Sequence, residues 1–307
     1  MSTIALLVCL LVAEPLDPLE EVKYCLKELY DKDQAVATDA YRRLQVLSRS
    51  NNQLRACVAK GVLEDYDRLN YPLILPGGKE APPKDRKPHP DPEYGLRSLK
   101  SLDEFFDKDK QPRYASPHLV SLIVHTKDYN DEHLLGTLGA KNLTALNLLE
   151  TSATGRDLAK LQMPRLRLLS LAGSPVTDET IAGLKPTAVP KLEVLNLSGT
   201  KVTDKTLANL PFTNLSVLYF DGTAITRAEV ARSLPKFTRL TGVRMDLQQF
   251  DPKLYPLIED GTIPLVNLRL VHTSEEDRAA IEMKRLAPNT LTVTLLRVDK
   301  NPPAAAR

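Results

Sequence analysis

The sequence predicts an α/β chain: a right-handed βα solenoid, horseshoe-like with a parallel sheet on its concave face, preceded by an N-terminal α-helical domain. Three observations predict it. Leucine makes up 53 of the 307 residues, and 35 of those lie between Leu119 and Leu296. Within that stretch, six-residue apolar segments recur every 23 to 26 residues, the period of a stacked repeat. Aromatics are scarce, with no Trp, six Phe and ten Tyr, so the core is built from aliphatic side chains. Lys+Arg is 41 against Asp+Glu 39, a net charge of +2, which gives no global attraction for nucleic acid or an anionic membrane. At 26% charged and 42% hydrophobic residues, the chain is not disordered as a whole.

Residues 1–13 hold a ten-residue apolar run, Ile4 to Ala13, closed by Glu14-Pro15. It is too short to span a bilayer, which takes roughly 20 residues, and matches a signal-peptide core. Export to the periplasm or beyond the cell is the expectation. The alternative is a cytoplasmic chain whose first helix packs on the next domain. Cys25 and Cys57 would remain after cleavage as an even pair, disulfide-linked or free; together with Cys9 they form no CxxC and no metal-ligand spacing.

Residues 14–75 read as α-helical. Leu19, Val22, Leu26 and Leu29 fall at helical spacing, and a second stripe follows at Val36, Ala40, Leu44 and Leu47. Leu54, Cys57, Val58 and Val62 give a third stripe. Residues 76–95 carry Pro82, Pro83, Pro88, Pro90 and Pro92 among mixed charges, an exposed linker. Leu96, Leu99, Leu102, Phe105 and Phe106 suggest a short amphipathic helix, and residues 96–117 are taken as the cap of the array.

Residues 118–300 carry the repeat, in seven or eight coils. The segments LVSLIV, LTALNL, LRLLSL, LEVLNL, LSVLYF, LTGVRM and LVNLRL begin at Leu119, Leu143, Leu166, Leu192, Leu215, Leu240 and Leu265, and an irregular LTVTLL begins at Leu291. Alternate strand side chains point the same way, so the leucines of each coil turn inward and stack on their equivalents. A hydroxyl follows each strand: Thr151, Ser174, Thr200, Thr223 and Thr273, with Gln248 as a substitute. It is suited to bond the turn and join a ladder between coils. Thr177-Asp178 and Thr203-Asp204 are N-cap residues that open a convex-side helix. Residues 301–307 are expected to be a disordered tail.

Residues 119 to about 296 resemble a leucine-rich repeat domain. The coil LNLSGTKVTDKTLANLP is similar to short repeats with a GTxVTD turn, of the cysteine-containing and ribonuclease-inhibitor-like subtypes, with Thr where those have Cys or Asn. The stretch CLKELYDKDQAVATDAYRRLQVL resembles one HEAT-type helical repeat and has the length and helix rhythm of an F-box, without its Leu-Pro opening or Trp. The repeat resemblance implies a protein partner held on the concave face.

On that face the middle outward positions are Ile123, Asn147, Ser170, Asn196, Tyr219, Arg244 and Arg269, and two residues on lie His125, Leu149, Ala172, Ser198, Asp221, Asp246 and Val271. The candidate protein-binding residues are Tyr219, Asp221, Arg244, Asp246, Arg269 and His272, with Arg167 and Glu193, because Tyr and Arg favour binding hot spots. The bland alternative is a solvated face of weak Arg–Asp pairs. The group His125, Asp128, Asp131, Glu132 and His133 matches no metal motif, and no nucleophile elbow, HExxH or P-loop frame is present. The expectation is therefore a monomeric, non-enzymatic interaction protein with no cofactor, no metal, no small-molecule substrate, no nucleic acid and no membrane span. The alternatives are an adaptor of F-box type, recruiting a second protein through its N-terminal helices, and an enzyme with a site at the helix–solenoid junction.

Overall fold

The computed structural model describes residues 19–29, 34–70, 96–99, 121–138 and 140–298. The apolar run Ile4–Ala13, the proline-rich stretch 76–95, most of the cap region 96–117 and the tail 301–307 lie outside the described residues. Two compact units divide the chain, residues 1–96 and 97–307.

The first unit carries three helices, α1 (Glu20–Glu28), α2 (Gln34–Leu47) and α3 (Gln53–Asn70), each packed on the other two. Spacings of three and four put Val22, Cys25, Leu26 and Leu29 of the first on Ala37, Ala40, Leu44 and Leu47 of the second and on Ala56, Cys57, Ala59 and Val62 of the third, all nearly inaccessible to water. Ala37 takes the place expected of Val36, one residue on, which keeps the i, i+3, i+7 stripe on one side. Asn52 starts α3 by accepting a hydrogen bond from the Arg55 amide (3.1 Å). Cys25 and Cys57 are buried free thiols. Burial pushes the Cys25 thiol up, against a hydrogen bond from Arg43 Nη2 at 3.2 Å.

The second unit is a single sheet in strict chain order, its last eight strands parallel. Its strands are β1 (Leu96–Leu99), β2 (Ser121–Val124), β3 (Ala145–Leu148), β4 (Leu168–Ser170), β5 (Val194–Asn196), β6 (Val217–Tyr219), β7 (Gly242–Asp246), β8 (Asn267–His272) and β9 (Thr292–Arg297). The segment at Leu96 is thus a strand, where the leucine spacing suggested a helix. Leu96 and Leu99 three apart fit either element, and the choice falls to the sheet edge beside β2, a long-range term that local spacing does not carry.

The register places each coil's leucines over the last. Leu122, Leu146, Leu169, Leu195, Leu218, Val243, Leu268 and Val293 are successive partners, all buried. Burying three such side chains per coil contributes several kcal/mol, at roughly 0.8 kcal/mol per CH2. The last coil is slipped by one residue. Its inward positions are Val293 and Leu295, whereas the repeat template would have put Thr294 and Leu296 inside. The cause is visible in the spacing: Leu265 is followed by Leu268, but Leu291 by Val293.

Between strands run short helices: α4 (Asp131–Thr137), α5 (Asp178–Ala182), α6 (Asp204–Asn209), α7 (Arg227–Ser233), α8 (Tyr255–Glu259) and α9 (Asp277–Arg285). The coil after β3 has only a 3-10 turn at Leu158–Lys160. The post-strand hydroxyls divide in role. Thr151 and Ser174 bond each other across coils at 2.8 Å, while Thr200 and Thr223 donate back to the carbonyls of Leu197 and Phe220 in their own coils. In the next coil the substitute is Gln249, not Gln248. Gln249 is buried and donates to the Thr223 and Ile225 carbonyls, whereas Gln248 is exposed and donates to Glu276. The two extra residues of β7 and the 3-10 turn Leu247–Gln249 move the inward position on by one.

A second ladder links the helix starts. Thr177 and Thr203 stand at N-cap positions as expected, but the aspartates after them serve the following coil. Asp178 accepts from the Thr203 amide (2.8 Å), the Thr203 hydroxyl (2.6 Å) and the Thr206 hydroxyl (2.6 Å). Asp204 accepts from the Thr226 amide and hydroxyl (2.6 and 2.9 Å), and Asp131 from the Thr154 amide and hydroxyl and the Gly155 amide. Burial pushes the Asp178 carboxyl up, but the hydrogen bonds from Thr203 and Thr206 outweigh it and hold the carboxyl below its usual range.

Two outcomes follow from this packing. Leu195→Asp puts a charge among the stacked leucines and is expected to abolish the cooperative thermal transition of the second unit, since no coil closes its core alone; a wild-type-like melt would contradict the assignment. For Asp178, ionisation is favoured by folding, so its contribution is present at neutral pH and is lost as pH falls through the depressed pKa. Asp178→Asn is expected to melt below wild type at pH 7, with the gap narrowing below about pH 4, as followed by circular dichroism.

Candidate protein-binding face

Side chains at alternate strand positions point away from the leucine core, and three rows of them make the open face of the sheet. The first row, Ala145, Leu168, Val194 and Val217, is small or apolar and at most 5% exposed. The middle row reaches water except at the buried Ser170 and runs through direct register partners: Ile123, Asn147, Ser170, Asn196, Tyr219, Arg244, Arg269 and Thr294. Tyr219, Arg244 and Arg269 are therefore neighbours on β6, β7 and β8, about 4.8 Å apart from strand to strand.

Arg244 is tied down. Its Nη2 donates to Asp221 Oδ2 at 2.8 Å, and the other oxygen of Asp221 accepts from the Ser198 hydroxyl at 2.5 Å. Asp221 is 7% exposed, a rigid anchor under the guanidinium. Arg269 differs: among the described residues its guanidinium has no hydrogen bond or ion pair, although it lies directly beside Arg244. Like charges opposite each other on adjacent strands are unfavourable.

The remaining candidates are placed as follows. Asp246 ends β7, and its Oδ2 accepts from the Gly222 amide at 2.8 Å. Burial pushes its carboxyl above the usual range, and the charges of Asp221 and Glu276 add to this. Arg167 and Glu193 pair with each other at the entrance to β4 and β5, away from the Arg row. His272 is not on the open face. It falls on the Leu268–Leu270 side of β8, is 6% exposed, and its Nδ1 sits 3.3 Å from Asp277 Oδ1. Strand alternation turns it inward, yet with Val271 it lines a cleft that also holds Asp221, Arg244 and Asp246. The first-coil acidic and histidine group is dispersed: Asp131 serves the Thr154 turn, and His133 stacks on Tyr129 and bonds Asn130.

Two features went unread in the sequence. One is a cleft of about 650 Å3 at the C-terminal ends of β6–β8, lined by Asp221, Arg227, Arg244, Asp246, Gln248 and Glu276 among others. It forms from turns of three coils, and no single coil carries a signal for it. The other is Glu150, a non-glycine residue with φ at 52°. Gly173, Gly199 and Gly222 occupy the same place in the next three coils with φ between 66° and 69°. Left-handed backbone costs a residue with a Cβ roughly 1–2 kcal/mol. Aligning the segments LLETS, LAGSP, LSGTK and FDGTA would have exposed Glu150 as the odd member of a glycine column. Glu150 is exposed; its carboxylate meets His125 Nε2 at 3.3 Å, and its Cγ lies over Gly173, where an added Cβ would come within 2.9 Å of it.

The fold is that of a leucine-rich repeat array. Among the described residues, eight parallel strands, β2 to β9, in chain order, with buried leucines in register, carry that conclusion. No family model matches the sequence, and no curated protein matches it. Among solved structures, an internalin C2 from Listeria monocytogenes is similar over 61% of this chain and 77% of that one, at 22% identity and a TM-score of 0.40. No helix among the described residues is long and apolar enough to cross a membrane.

The Asp246 environment gives a measurable contrast with Asp178. A carboxyl whose folded pKa is raised disfavours folding once ionised, so its contribution is present in acid and lost as pH rises through that pKa. Asp246→Asn is expected to melt at or above wild type at pH 7, while Asp178→Asn melts below it; a lower melt for Asp246→Asn would show that its turn bonds outweigh the buried charge.

Proposed function

We propose that this protein is a non-enzymatic interaction module that binds an acid-bearing segment of a partner protein on the open face over β6, β7 and β8. The single observation that carries the reading is Arg269: a guanidinium without an acidic partner among the described residues, beside an arginine already fixed by a buried aspartate. A preoriented Arg beside Tyr219 is the chemistry of a binding hot spot, and the anchor beneath Arg244 removes the ordering cost of that side chain on binding. Right-handed winding is part of this proposal, as parallel strand–helix–strand connections take that hand almost without exception; it makes the open face the inner, concave one. Export is proposed on the Ile4–Ala13 run, and a monomer on the coils' leucines being buried against one another within one chain.

A second reading, the adaptor, draws support from the helical unit. Tyr24 and Val46 are 57% and 71% exposed, and the Arg43 guanidinium lies 5.2 Å from the centre of the Tyr24 ring. That is a ready aromatic–cation patch for recruiting another protein.

The test is crosslinked capture from the native host, quantified by mass spectrometry, with wild type and the Arg244→Glu/Arg269→Glu double variant. At least a tenfold loss of the captured partner is expected from the variant and also from Arg269→Glu alone, which breaks no ion pair of the fold and is expected to keep the wild-type melt, whereas Arg244→Glu takes the partner from the buried Asp221 and lowers the melt. Equal recovery by both would overturn the placement on β7 and β8.

A further inference from the structure

We propose that the open face reads a partner segment of two opposite charges: an acidic residue over Arg269 and a basic residue over Glu150, about seven residues away along an extended chain. This rests on the interaction reading above and gives its partner a chemistry and a direction.

Two places on this face are locally unfavourable to the fold, and each offers a charge that a single ligand can pair. At one end, Arg269 stands beside Arg244 with no acid of its own among the described residues. At the other, Glu150 holds a left-handed backbone (φ 52°) where the next three coils use glycine. The backbone geometry of the column is the same with or without a side chain: the Glu150 amide donates to Ala172 O at 2.7 Å, the Gly173 amide to Ser198 O at 2.8 Å and the Gly199 amide to Asp221 O at 2.7 Å. Nothing in the packing calls for the carboxylate. It is 61% exposed, and its one polar partner, His125, is 59% exposed. Strained non-glycine backbone that the fold itself does not need is characteristic of sites where the side chain serves a ligand.

Glu150 follows β3 in its turn, and its carboxylate meets His125, two residues beyond Ile123 of the same open-face row that carries Arg269. Five strand steps separate β3, which Glu150 follows, from β8, which carries Arg269. At about 4.8 Å a step this is roughly 24 Å, or about seven residues of extended peptide. Between them the face has a low floor at the nearly buried Ser170, Ala172 and Ser198, on which a main chain can lie, with Asn196, Tyr219 and Arg244 standing above it. The charge pattern sets the partner's direction, because reversing the segment would lay its acid against Glu150 and its base against Arg269.

The experiment selects a displayed library of random 12-residue peptides on the immobilised full-length protein, in parallel with the Glu150→Gln and Arg269→Glu variants. Wild type is expected to enrich peptides with a Lys or Arg six to eight residues from an Asp or Glu, in one order only. Glu150→Gln is expected to lose the basic preference and keep the acidic one; Arg269→Glu, the reverse. Enrichment that responds to Arg269→Glu but not to Glu150→Gln overturns this proposal and leaves the interaction reading standing. No enrichment by wild type, or enrichment indifferent to Arg269→Glu, overturns both. A melting measurement guards against a structural role: Glu150→Gly relieves the strain and is expected to melt no lower than wild type, and a lower melt would mean the side chain is there for the fold.

Discussion

Each coil brings to the interior a few aliphatic side chains that it cannot bury alone. Leu146, Leu169, Leu195 and Leu218 are sealed only because each lies in register between two neighbours. This mutual closure dictates the rest. It requires parallel strands at a fixed period, it assigns alternate residues to the opposite side of the sheet, and it makes that side a set of ordered rows. The Tyr219–Arg244–Arg269 neighbourhood is a by-product of leucine stacking, since the same register that seats Leu218, Val243 and Leu268 places those three side chains in line.

What was legible in the sequence is what repeats. Eight strand positions and the composition of the middle row follow from the spacing of leucines, because period and strand parity together fix which residue faces where. What repeats poorly was misread. Leu96–Leu99 fits two periods, and the neighbouring strand decides between them. His272 lies one position beyond a correctly placed residue, and one position reverses the face. Gln249 displaced Gln248 because β7 runs on to Asp246, an extension with no local marker. Ala37 displaced Val36 because three helices share the stripe.

A third group was present in the letters but needed a comparison between coils. The aspartates after Thr177 and Thr203 were read within their own helices, yet their bonds run to the next coil. Glu150 is unremarkable as an exposed acid and exceptional as a member of a glycine column. In a repeat architecture the informative unit is the column, and departures from it separate residues kept for packing from residues kept for contact.

The aspartate ladder also gives the array a polarity. Each carboxylate reaches forward: Asp131 to Thr154, Asp178 to Thr203, Asp204 to Thr226. A coil therefore receives its turn's cap from the coil before it, and offers one to the coil after. Trimming from the C-terminal side leaves a carboxylate facing water, which solvates it at little cost. Trimming from the N-terminal side strips amides and hydroxyls of their acceptor at the start of the next helix, half-buried at Thr203 and open to water at Thr154 and Thr226. Stacked units that look interchangeable in their cores are thus ordered along the chain, and growth of such an array by duplication is easier at its trailing end than at its leading one.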